Sequence, residues 1–184
     1  MSKQGGGPQP AIRDAPVPSA LYTPEQRRRR DDSPWTVVQG ILAPVQFAIF
    51  LLSLGLVVRT LMTGEGYELA TGSIVLKTLI LYLIMVTGAI WEKVVFGQYL
   101  FAEAFFWEDV FSFLVLALHT AYLIALFTDA LSPTALLWLA LAAYAAYVVN
   151  AVQFVFKLRS ARLQSAASGP MESPSSLAEE GAAA

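Results

Sequence analysis

The sequence predicts an all-α protein, an integral membrane bundle of four transmembrane helices with both termini cytoplasmic and disordered tails. Three observations predict it. Four apolar segments each come near the roughly 20 residues that a helix needs to cross a bilayer. The connections between them are short, and two carry turn residues. Lys and Arg gather at one set of segment ends, as the positive-inside rule requires. Composition agrees: 56% of the 184 residues are hydrophobic and 14% charged, with a mean hydropathy of +0.56. An average soluble domain is markedly less apolar and carries more charge.

Residues 1–32 read as a disordered polar tail, with GGG and Pro8, Pro10, Pro16 and Pro18. The membrane domain spans 33–163. Its first segment runs from about Trp35 to Val58 without a charge. Ser33 can cap its start, Pro34 suits the first helical position, and Pro44 inside it is a candidate kink. TGEGYE at 63–68 supplies turn glycines. The second segment, about Leu69 to Trp91, contains Lys77, which is expected to snorkel toward the interface. The third, about Val110 to Phe127, contains His119. TDALSP at 128–133 ends in a Ser-Pro helix start. The fourth, about Pro133 to Phe156, contains Asn150 and Gln153. These two, with Gln39 and Gln46, are expected to hydrogen-bond between helices. Residues 164–184 read as a second disordered tail. Short connections make consecutive helices antiparallel neighbours.

Orientation follows from Arg27 to Arg30 before the first segment and from Lys157, Arg159 and Arg162 after the fourth. Both termini are therefore expected in the cytoplasm, together with the connection between segments two and three. The arginine run is read as this topology signal. A net charge of −2 gives no reason to expect nucleic acid as a partner; the lipid bilayer is the expected one.

Much chemistry is excluded. The chain has no cysteine and a single histidine, so disulfides, Cys nucleophiles and multi-His metal sites are out of reach. P-loop, GxGxxG, HExxH and GxSxG motifs are missing. No fixed-period repeat supports an inverted-repeat transporter.

The candidate site is WEKVVFGQYLFAEAFFWED, residues 91–109. Glu92 closes segment two, Glu108 and Asp109 open segment three, and Gly97 lets the chain turn between them. A helical hairpin brings these acids together among Trp91, Phe96, Phe101, Phe105, Phe106 and Trp107. The plain reading is an interfacial aromatic belt with solvated acids at helix ends. The functional reading is a pocket for a large flat apolar ligand, which such rings stack on. Desolvation among rings disfavours ionisation, so one carboxyl can serve as general acid while another accepts a proton from water. His119 lies eleven residues past Glu108, about 16 Å deeper along the helix axis. It is either a proton carrier or metal ligand, or a neutral side chain hydrogen-bonded to a neighbour such as Asn150. Lys93, Lys157 and Arg159 could hold a substrate carboxylate or simply touch headgroups.

LYTPEQRRRRDDSPWTVVQGILAPVQF, IMVTGAIWEKVVFGQYLFAEAFFWEDVFSFLVLALHTAYL and AAYVVNAVQFVFKLR resemble the 3-vinyl bacteriochlorophyllide hydratase family of bacteriochlorophyll synthesis. The likeness extends from about Leu21 to Leu163. It implies addition of water across the 3-vinyl group of a chlorin such as chlorophyllide a, giving the 3-(1-hydroxyethyl) product. It also implies a photosynthetic bacterial inner membrane, an active site toward the cytoplasm, and room for contact with other bacteriochlorophyll-synthesis enzymes. Such a hydration needs no cofactor. On this reading Glu92, Glu108, Asp109 and His119 are the catalytic candidates. Trp91, Lys93, Phe105, Phe106, Trp107 and Asn150 are the substrate-binding candidates. The protein itself binds no metal, and His119 is a candidate axial ligand to the substrate's magnesium. The alternative is a non-catalytic pigment-binding or assembly protein, which needs rings and a magnesium ligand but no acid cluster.

Overall fold

A computed structural model describes residues 21–167, and all regular structure within them is helical. The helices are α1 (Pro24–Asp32), α2 (Pro34–Thr63), α3 (Tyr67–Phe96), α4 (Phe106–Phe127) and α5 (Pro133–Ala167). The expected disorder of residues 1–20 and 168–184 lies outside the described residues.

Helices α2 to α5 are the four predicted membrane helices, each long and apolar enough to cross a bilayer. They run further than the apolar segments alone suggest: Ser33 caps the start of α2, and glycines end α2 and α3. Ser33 accepts a hydrogen bond from the Trp35 N–H, and Pro34 fills the first turn of α2. Gly64 and Gly97 end α2 and α3 in the left-handed conformation, with φ of 75° and 87°. That conformation strongly favours glycine.

Helix α1 corrects the expectation for the N-terminal tail, since residues 24–32 are not irregular. The reason is local. Thr23 and Gln26 form a capping box, each side chain bonding the other's backbone N–H, and Pro24 opens the helix. Tyr22, just before it, is buried and fastens the segment to the bundle.

The closest packing lies within two hairpins, α2 with α3 and α4 with α5. Phe50, Val57, Ile74, Leu81, Val115, Leu136, Leu137 and Tyr144 fill the core between them. Small polar links cross it: Ser53 Oγ bonds Tyr144 Oη, and Tyr82 Oη lies 2.8 Å from Thr120 Oγ1. Gln39 reaches Thr87 Oγ1 at 2.7 Å, and Asn150 reaches Ser112 Oγ at 2.8 Å. Both amides join helices, as expected of polar residues within a membrane bundle.

Lys77 does not snorkel. Its side chain is fully buried and points inward, because it lies on the core face of α3 with Ile74, Thr78 and Leu81. From there the stem meets the other helices instead of the headgroups.

Candidate active site

The end of α3, the connection 97–105 and the start of α4 bring three acids to one place. Helix α3 continues a turn beyond Glu92, so Glu92 faces the bundle rather than its rim. Glu92, Glu108 and Asp109 are each 5–6% exposed. Glu103, in the connection, is exposed.

The side chains of Glu92 and Asp109 are both buried where the end of α3 meets the start of α4. Two carboxyl groups buried close together can share one proton between them. Two consecutive backbone N–H groups complete the arrangement. Phe101 N–H donates to Asp109 Oδ2 at 2.7 Å, and Ala102 N–H donates to Glu92 Oε2 at 3.3 Å. Phe101, between these two amides, has a φ of 59°. A left-handed backbone at a bulky residue is strained, by about 1–3 kcal/mol.

Glu108 points elsewhere. Its two oxygens lie 3.2 and 3.3 Å from Lys157 Nζ, which reaches across from α5. The sequence offers headgroups or a substrate carboxylate as partners for Lys157, and the structure adds Glu108. Helix α5 continues far enough past Phe156 to bring it over the acid cluster.

The rings divide into two groups. Trp91, Phe96 and Phe105 pack with Phe154 and Tyr22 on the inner side. Their centroids are 5.7 Å apart for Trp91–Phe105 and 5.8 Å for both Phe96–Phe105 and Tyr22–Phe96. Trp91 Nε1 donates to Thr36 Oγ1 at 2.9 Å. Phe101, Phe106, Trp107 and Phe113 form the second group on the outer face. Phe101 stacks on Phe113 at 5.4 Å, and Trp107 is 66% exposed. Sequence reading placed Phe105, Phe106 and Trp107 in a single pocket. Successive helical residues point about 100° apart, so Phe105 faces in while Phe106 and Trp107 face out. Tyr22 was missed; its only sequence signal was its place beside the TPEQ capping box.

A groove of about 640 Å³ opens beside the cluster, between the start of α1, residues 98–104 and the end of α5. Its walls include Gln26, Phe96, Glu103, Lys157 and Ser160. The paired acids do not line it. Ala102 and Lys157 do, and each of these is bonded to one of the buried acids. Lys93 is turned away, donating to Gly97 O at 2.7 Å at the end of α3.

His119 is fully buried in the core. Its Nδ1–H donates to Val115 O at 2.8 Å, so Nε2 is the acceptor that faces Lys77 Nζ at 3.0 Å. With both ring nitrogens engaged, it presents no open position to a magnesium ion in this arrangement. Asn150 bonds Ser112 rather than His119.

A family model described as 2-vinyl bacteriochlorophyllide hydratase matches residues 22–160. The chain belongs to that family. A 2-vinyl bacteriochlorophyllide hydratase of Rhodobacter capsulatus is 70% identical to it over 152 residues, 82% of this chain and 88% of the relative. Another, from Cereibacter sphaeroides, is 70% identical over 144 residues, 78% of this chain and 89% of the relative. No solved structure matches. The hydratase-family span begins at the Tyr22 anchor and takes in the acid pair, both ring groups and Lys157.

Proposed function

We propose that this protein is a carbon–oxygen hydro-lyase that adds water to the vinyl group of a chlorin, and that the Glu92–Asp109 pair performs the proton transfers. Family membership supports the reaction. The observation that carries the assignment is the buried carboxyl pair, held by two backbone amides where α3 meets α4. A pigment-binding protein has no use for such a pair.

The reaction needs an acid, a water and a base. In this reading Glu92 gives the shared proton to the terminal vinyl carbon. Positive charge develops at the carbon attached to the macrocycle, whose conjugation spreads it. Water attacks that carbon, and the released proton returns to Asp109 or Glu92, restoring the pair. Glu108, already paired with Lys157, holds that lysine at the wall of the groove, where a substrate carboxylate can meet it. The outer rings Phe106 and Trp107 have open faces and suit a flat macrocycle better than the packed Phe105 and Trp91.

The active site faces the cytoplasm of a bacterial inner membrane in this reading. Arginines around α1 and basic residues on late α5 support that side. Other enzymes that make or consume chlorins would meet the groove there. The chain has no native cysteine, so single-cysteine labelling is clean. Glu103→Cys should label from the cytoplasmic side and Glu65→Cys from the opposite side; the reverse pattern would invert the topology.

The activity test is expression of this chain alone in a non-photosynthetic host fed with chlorophyllide a. Loss of vinyl conjugation blue-shifts the pigment. Well-expressed membrane protein without product would favour the pigment-binding alternative.

A further inference from the structure

A hydration also needs a water held in the right place, besides an acid and a base. Two buried acceptors on α5 lack a protein partner. Asn150 Oδ1 and Gln153 Oε1 make no hydrogen bond to protein. Buried acceptors of this kind are normally satisfied, most often by ordered water where the protein offers no donor.

Their placement ties them to the acids. Ser112 lies three residues past Asp109 and four past Glu108, so it shares their face of α4, about 4.5–6 Å deeper. Asn150 Nδ2 donates to Ser112 Oγ at 2.8 Å. Gln153 lies one turn from Asn150 and one turn from Lys157 on α5, and Lys157 is bonded to Glu108. The α4–α5 seam therefore carries a column of polar groups that ends at the acid cluster.

Resting on the hydratase reading above, we propose that Ser112, Asn150 and Gln153 form the site of the attacking water. The two amide oxygens accept its hydrogens, and the oxygen lone pair is left for carbon. As the C–O bond forms, one water O–H turns from its amide oxygen to the carboxylate left by the first step and breaks there, its proton passing to that carboxylate. Vinyl plus water becomes hydroxyethyl, with no oxidant or reductant involved. These three are positioning residues for water.

The test uses full-length protein in membranes with a vinyl chlorin, in ordinary water and in D2O. Gln153→Leu and Asn150→Leu should lower kcat about 10- to 100-fold with KM within about twofold, a loss within the range of acid–base positioning effects. Thermal stability of Gln153→Leu should not fall, since the change removes an unpartnered acceptor at similar volume. The decisive readout is the unreacted substrate. With water attack slowed and protonation intact, the protonated intermediate returns to vinyl, and deuterium accumulates in the terminal carbon. Ser112→Ala, which only deletes a hydroxyl, should show the same enrichment if a leucine variant is lost from the membrane. Wild-type kcat in these variants, or a lowered kcat without deuterium in recovered substrate, would overturn the water site. Failure of the hydratase reading looks different: wild-type protein would then give neither product nor exchange.

Discussion

Lys77 and His119 meet in the middle of the bundle, Nζ to Nε2 at 3.0 Å, both fully buried. The lysine nitrogen also lies 4.2 Å from the Tyr147 ring centroid and 5.3 Å from that of Tyr144. The contact joins α3 to α4, and the two rings add α5. It is a polar cross-link in a place where lipid or leucine would be cheaper, so each partner depends on the other.

Removing one partner should therefore cost more than removing both. Lys77→Met or His119→Leu strands a buried polar atom, which costs about 1–3 kcal/mol. The double variant should recover much of that loss in thermal unfolding of detergent-solubilised protein. Strictly additive losses would contradict the cross-link. Pigment affinity of the double variant should equal wild type, because both His119 nitrogens already have partners. A clear drop in affinity would restore the role of magnesium ligand.

The acid pair sets the second prediction. Glu92→Gln and Asp109→Asn keep shape and an acceptor oxygen but cannot pass a proton. Turnover of vinyl to hydroxyethyl pigment should fall by about 10²–10⁴-fold, with protein still in the membrane. Near wild-type rates in both would remove the pair from the chemistry.

Glu108 should behave differently. Glu108→Gln breaks the ion pair with Lys157 but leaves Glu92 and Asp109 in place. Its main effect should be a higher KM, as Lys157 loses its anchor at the groove wall, with a smaller loss of kcat than in Glu92→Gln. A kcat loss equal to that of Glu92→Gln would make Glu108 the donor.

Tyr22 supports a fourth prediction. Its ring stacks on Phe96 at 5.8 Å, and the Arg30 guanidinium carbon lies 4.8 Å from its centroid. Burial raises the pKa of its phenol, with Arg30 opposing, so the ring is held in place as the neutral form. Helix α1 buries no side chain of its own and relies on this anchor. Tyr22→Ala should loosen α1 and speed trypsin cleavage at Arg27 to Arg30 by about tenfold, the equivalent of about 1.4 kcal/mol of local stability. Unchanged cleavage would mean that other contacts hold the helix.

Backbone strain gives the last. Phe101→Gly relieves φ of 59° but deletes the outer ring. Stability should change by less than about 1 kcal/mol, as strain relief offsets lost packing and added backbone freedom. Activity should persist, since the amide that bonds Asp109 is retained. Loss of activity with unchanged stability would give the ring itself a role.

Much of this molecule is legible in the chain. Four apolar segments, the Ser33–Pro34 start and the glycine turns specify the bundle, because hydropathy and capping act locally. The hairpin logic also brings Glu92 and Asp109 together, since acids at the end of one helix and the start of the next must approach. Helix α1 was legible in principle from Thr23, Pro24 and Gln26, but four arginines and the proline-rich stretch before them read as tail.

Other features depend on which helix faces which. The orientation of Lys77 is set by the core face of α3, and its partner lies 42 residues away. Lys157 reaches Glu108 only because α5 continues past the apolar segment and crosses α4 there. The division of the rings into packed and open groups follows from helical phase at the start of α4, which composition does not encode. The sequence by itself determined the membrane bundle, its family and the acids of the junction, through local patterns and motifs. Only the tertiary structure decided which acids are held by backbone amides, which one pairs with lysine and which buried acceptors lack a protein partner. Those pairings need side chains distant in sequence to meet at about 3 Å, and no local pattern carries that distance.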